Sequence, residues 1–198
     1  MSLWLRVRGA STIFFVSVAT LAALALPASA ISTTPSPAGA TMAAACFLAL
    51  AVPVAVGWGC ARGDAQLESV SVRPVRSLDL LLTTVAVAGS AAVAVVMHET
   101  GVAPAGLVAA RALLVYGGFM LLASPLGWRT ATIAPTVYLL AVIVVGAGED
   151  ISHPAPWAWI AADDTARASW LLTAALVAGG TAAYLIVPRR ATDAEARD

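Results

Sequence analysis

The chain has 198 residues, of which 60% are hydrophobic and 11% charged, with a mean hydropathy of +0.88. A soluble domain of this size has no interior large enough for so much apolar side chain, so the composition excludes an ordinary water-soluble fold and points to an all-α polytopic membrane protein. Eleven basic and eleven acidic residues cancel, so no nucleic-acid partner is expected. All eleven basic residues are arginine; without lysine a Walker A phosphate loop, a retinal Schiff base and a lysine nucleophile are all excluded.

Six apolar stretches follow in chain order, at approximately 12–31, 40–57, 78–97, 105–126, 130–148 and 169–187. Each is near the ~20 residues a helix needs to cross ~30 Å of hydrocarbon. One six-span transmembrane domain over residues 1–188 is expected, followed by a polar tail over 189–198. The first stretch has a second reading: Arg6 and Arg8, the run 13–26 and Ala28-Ser29-Ala30 follow the order of a secretory signal peptide and its cleavage site. Cleavage there would leave five spans and an external N-terminus.

The arginines orient the chain, because arginine beside a short loop resists translocation. Arg6 and Arg8 precede the first stretch, Arg62, Arg73 and Arg76 lie between the second and third, Arg129 between the fourth and fifth, and Arg189, Arg190 and Arg197 after the sixth. The alternate connections hold only Arg167. Both termini are therefore expected in the cytoplasm. Trp4, Trp58 and Trp128 fall at inner ends and Trp157, Trp159 and Trp170 at outer ends, the headgroup level that indole prefers. Cys46 and Cys60 share one span and have no histidine near them, so neither a disulfide nor a zinc site is expected; they read as small apolar fillers.

Residues 127–129 make a tight inner turn that should pair the fourth and fifth spans as a hairpin. Two connections are longer, 59–77 inside and 149–168 outside. In the inner one, Gly63-Asp64 can cap a short helix through Ala65, Gln66, Leu67, Glu68 and Ser69, which Pro74 must end or interrupt. Asp64, Gln66, Glu68 and Arg73 would offer a soluble partner charge-assisted contacts. The plainer alternative is a solvated connector carrying positive-inside arginines.

The run from Arg62 to Leu82 resembles the segment after the second span in ABC transporter permeases of the type-2 exporter family. In that family a charged stretch leads to Gly-Thr-Leu-Glu, a few mostly apolar residues, Pro-Val, a basic residue and the third span. Leu67-Glu68, Pro74-Val75, Arg76 and the leucine run from Leu78 stand in that order here, whereas Ala65 and Gln66 replace the glycine and threonine. The resemblance implies a coupling helix that docks on an ATPase subunit through Asp64, Gln66, Glu68 and Arg62. It further implies six spans with both ends inside, dimerisation with itself or a companion permease, and ATP and Mg²⁺ held only on a partner ATPase. The external connection, with Glu149, Asp150, Trp157 and Trp159, stands where the family carries a re-entrant element between the fifth and sixth spans. The chain is short for the family, and its arginine-only, alanine- and valine-rich style resembles actinobacterial proteins of the plasma membrane.

An integral membrane enzyme acting on a lipid or isoprenoid is the alternative, with a purely structural accessory subunit as a third. The acids available for catalysis are His98-Glu99, Glu149-Asp150 and Asp163-Asp164 near Arg167. Carboxylates at a membrane face can hold Mg²⁺ against a phosphate, but the Asp163-Asp164 run lacks the second aspartate group of a two-metal site, and 7% aromatics offers little to stabilise a carbocation. No catalytic residue, cofactor or metal ligand is assigned.

Arg111 lies inside the fourth span, where a charge costs about 2–3 kcal/mol unless it is paired or snorkels. It is expected to reach the outer surface, to pair with Glu99 or Glu149, or to line an export path for an anionic or amphiphilic substrate. Gly89-Ser90-Ala91-Ala92, Gly117-Gly118 and Gly179-Gly180-Thr181 read as seams where helix backbones approach closely. Pro53, Pro125 and Pro135 should bend or end their helices.

Overall fold

The computed structural model describes residues 2–26, 37–62, 75–146, 159–161 and 166–187. All secondary structure among them is helical. A short α1 (Ser2–Val7) leads into α2 (Ala10–Leu24), followed by α3 (Pro37–Ala61), α4 (Val75–Glu99) and α5 (Gly106–Ala123). A 3-10 turn (Ser124–Leu126) containing Pro125 ends α5, and Gly127 starts α6 (Trp128–Ala141), which continues as a π-helical turn (Val142–Gly146). A 3-10 turn (Trp159–Ala161) precedes α7 (Arg167–Ile186).

Five segments are long and apolar enough to cross a membrane: Thr41–Ala61, Val75–Glu99, Gly106–Leu126, Trp128–Val145 and Arg167–Ile186. They coincide with the second to sixth stretches read from the sequence. The first stretch is represented by α2, whose 15 residues extend about 22 Å at 1.5 Å per residue, short of the ~30 Å of hydrocarbon.

Helix α5 is the hub of the bundle, touching α3, α4, α6 and α7, while α2 lies outside against α3 and α4. Its sequence explains this place. Ala109, Ala110, Ala112, Gly117 and Gly118 are buried along it, and small residues let backbones approach where lipid removes the hydrophobic drive between helices. Gly117 receives Val87 of α4, and Gly118 faces both Leu176 and Gly180 of α7. Large apolar side chains such as Phe14, Phe15, Val85, Ile133, Val144 and Leu171 point outward, the pattern of a bundle solvated by hydrocarbon.

The α5–α7 seam separates two adjacent glycines. A Cβ on Gly180 would stand 2.5 Å from the Gly118 carbonyl oxygen, whereas one on Gly179 meets nothing within 4 Å. Gly180→Ala should therefore destabilise the bundle by about 1–3 kcal/mol, the usual cost of overpacking. Gly179→Ala should leave stability unchanged or improve it slightly through helix propensity. Unfolding of the two variants in mixed detergent micelles checks this; equal midpoints would remove the seam.

Five of the arginines gather at one end of the bundle. Arg8 touches Cys60 and Asp79, Arg76 touches Val187, and Trp128 packs on Tyr184. The start of α2, the end of α3, the start of α4, the start of α6 and the end of α7 thus share one end of the bundle, and Arg6, Arg8, Arg62, Arg76 and Arg129 lie there. Arg167 begins α7 at the other end. Trp128 begins its helix and is 7% exposed, packed in a layer with Val56, Cys60, Met120 and Tyr184. Cys46 and Cys60 are buried free thiols. Helices α3 and α6 run through Pro53 and Pro135, whereas Pro125 lies in the turn that closes α5.

Candidate functional site

Two buried arginines define the candidate site, one toward each end of the bundle. The first is built by the junction of α1 and α2. Gly9 adopts φ +64°, a left-handed conformation that costs glycine nothing, and this turn swings Arg8 inward. Gly59 of α3 makes room: a Cβ there would collide with the Arg8 carbonyl oxygen. Arg8, 1% exposed, then reaches across to Asp79 in the first turns of α4, itself 0% exposed. Its Nε donates to Asp79 Oδ1 at 3.0 Å and its Nη2 to Oδ2 at 3.0 Å, a two-pronged pair, while Nη1 donates to the Cys60 carbonyl at 2.7 Å. Planar guanidinium suits this fork geometry, which lysine lacks.

A second tie lies beside it. Arg76, also at the start of α4, donates through Nη2 to the Val187 carbonyl at 2.6 Å and sits 5.1 Å from the centre of the Tyr184 ring. The Tyr184 hydroxyl donates back to the Arg76 carbonyl at 2.9 Å. Cys60 and Asp79 flank the connection 62–74, and so does Arg76. Both roots of that connection are therefore fastened, one to the α1–α2 junction through Arg8 and the other additionally to the end of α7.

The second buried arginine is Arg111, on the hub helix and 0% exposed. It does not snorkel to the surface. Its Nη1 donates to Ser169 Oγ at 2.9 Å and its Nη2 to the Ile160 carbonyl at 3.1 Å. Ser169 passes its own proton to the Ala166 carbonyl at 2.7 Å, so Arg111 gathers the 159–161 turn and the beginning of α7 onto α5. Aromatic rings cluster beside the 159–161 turn: Phe119 lies 4.6 Å from Tyr138 between centroids, and Trp159 lies 6.4 Å from Phe119 and, tilted, 5.7 Å from Tyr138. Tyr116 donates to the Cys46 carbonyl at 3.2 Å nearby. Arg111 is thus enclosed, with its guanidinium engaged by Ser169 and the Ile160 carbonyl.

The residues singled out from the sequence fall unequally. Arg62 ends the α3 segment and is exposed, with its Nη1 beside Gly9. Asp64, Gln66, Glu68 and Arg73 lie outside the described residues, as do Glu149, Asp150 and Trp157. Trp159 is half-buried in the aromatic cluster near Arg111. Glu99 is exposed at the end of α4 and is not the group that Arg111 binds. His98 is occupied in the α4–α5 turn, its Nδ1 2.8 Å from the Pro104 carbonyl. Among the described residues no three histidine, cysteine or carboxylate side chains gather as metal ligands do.

Sequence reasoning missed Asp79, Ser169 and Tyr184, and it gave Arg8 a topological role alone. One signal was present: Asp79 is a lone acid in the leucine run 78–82, and a carboxylate at membrane depth calls for a cationic partner. No protein-family model, curated protein or solved structure matches the chain. What its own residues establish is an all-helical bundle with five helices able to span a membrane and two buried arginine centres toward its opposite ends.

Proposed function

We propose that this chain is the membrane-spanning permease subunit of an ATP-driven exporter in a bacterial plasma membrane. In this reading all six apolar helices cross, with both termini in the cytoplasm. It works as a dimer with itself or a companion permease, on separate ATPase subunits that carry ATP and Mg²⁺. The cargo moved outward is a small amphiphilic molecule, a peptide or a lipid-like compound.

The observation that carries this reading is the fastening of both roots of the 62–74 connection, the same segment that resembles a coupling helix. A push on Asp64 to Ser69 from a closing ATPase would pass through Cys60 and Asp79 to Arg8 and the first two helices, and through Arg76 to the end of α7. A solvated connector has no need of such ties. The gathering of Arg6, Arg8, Arg62, Arg76 and Arg129 at one end supports placing that end in the cytoplasm. The Arg8–Asp79 pair supports counting the N-terminal helices as part of the bundle. On this reading Arg111 and Trp159 hold the mouth on the outer side.

Affinity purification of the tagged protein from its native membrane should recover an ABC ATPase. Glu68→Arg should reduce that recovery at least about tenfold, as like charges now face each other or a charge-assisted contact is lost. Recovery of no ATPase, or an ATPase indifferent to Glu68→Arg, would overturn the proposal.

A further inference from the structure

A groove of about 370 Å³ lies between α2 and α3, on the outside of the bundle. Val16, Val54 and Ala55 line it half-buried and Ala51 is exposed along it. At the end where the arginines gather it is bordered by Trp58, 64% exposed, and by exposed Arg62. Arg8 also borders it but is buried and engaged with Asp79 and Cys60, so among the described residues Arg62 is the exposed cation at its mouth.

An apolar track alongside membrane helices, ending in an indole and a guanidinium, matches the parts of a phospholipid in order. The track takes methylene groups, the indole lies at headgroup depth, and the guanidinium pairs with a phosphate oxygen. A free phosphate would gain nothing from the apolar lining. A zwitterionic headgroup would bring its own cation toward Arg8 and Arg62. We infer that this groove binds an anionic phospholipid, with one acyl chain along Val16, Ala51, Val54 and Ala55 and the headgroup phosphate on Arg62. The site does not depend on the exporter reading, because it would bind lipid whether or not an ATPase is recovered.

Native mass spectrometry of the full chain in detergent, titrated with phosphatidylglycerol or phosphatidylcholine of identical chains, tests it. Phosphatidylglycerol should bind about fivefold more tightly, the advantage that one basic side chain near a membrane surface confers. Arg62→Gln should abolish that advantage. Arg129→Gln, which removes another exposed arginine from the same end but off the groove, should preserve it. Ala51→Trp fills the track and should weaken both lipids, and inorganic phosphate should displace neither. Equal affinity for the two lipids, the same loss in Arg129→Gln as in Arg62→Gln, displacement by phosphate, or binding unchanged in both groove variants would each overturn the inference.

Discussion

Asp79→Ala should destabilise the protein by about 3–5 kcal/mol, the cost of removing one partner from a buried ion pair. The reason is what stays behind. Arg8 is 1% exposed and cannot follow its charge to water without undoing the Gly9 turn. Its Nε and Nη2 would lose both carboxylate acceptors and the compensating negative charge. Asp79→Asn, which keeps the shape and one acceptor but no charge, should fall between the wild type and Asp79→Ala. The double replacement Arg8→Met with Asp79→Leu should recover most of the stability, since exchanging a buried pair for apolar groups of similar volume is often neutral or stabilising. Midpoints of SDS-induced unfolding of the purified protein would measure all four. If Asp79→Ala unfolds at the wild-type midpoint, the pair is not what holds α2 to α3 and α4.

The same double replacement separates stability from transmission. A variant that regains its fold but loses the Arg8 ties beside the connection 62–74 should, on the exporter reading, still bind the ATPase while moving less cargo. Two long helices joined by a free loop can drift independently. Arg8 prevents this by bonding to both, and Arg76 extends the linkage to α7.

Much of the fold was legible because its determinants are local, long continuous apolar runs of membrane-spanning length. Five long helices lie where hydropathy places them, and the Gly118–Gly180 approach follows from small residues on two helices in lipid. Helix α2 ends at Leu24, shortly before Pro27, which disfavours helix at the residue before it; the rest of the first apolar run, 27–31, lies outside the described residues. The Arg8–Asp79 pair was hidden for its own reason. Its members are 71 positions apart, and the positive-inside rule had already explained Arg8, so the lone acid Asp79 called for a cation without pointing to this one. The depth of Arg111 could be counted from residue numbers. Its acceptors could not, since one is a backbone carbonyl in a turn, a group every residue carries.

Arg111→Gln should release the 159–161 turn from the hub helix. Ile160 is 1% exposed, and its carbonyl accepts a hydrogen bond from Arg111 Nη2; glutamine is shorter and cannot span to both Ile160 and Ser169. A stranded buried carbonyl and the space vacated by the guanidinium together should cost about 2–4 kcal/mol. Arg111→Lys keeps the charge but has no fork to reach two acceptors, so it should rescue only in part. The readout is local. With Cys46 and Cys60 replaced by alanine and Ile160→Cys introduced, a membrane-impermeant maleimide added to intact cells should label the turn slowly when Arg111 is present and at least about tenfold faster in Arg111→Gln, as a protected site becomes one that opens readily. Labelling from outside would also fix the sidedness that the arginines imply. If the rate is the same with and without Arg111, the guanidinium does not hold the turn. If labelling accelerates while export continues unchanged, Arg111 is a structural latch and the cargo path lies elsewhere in the bundle.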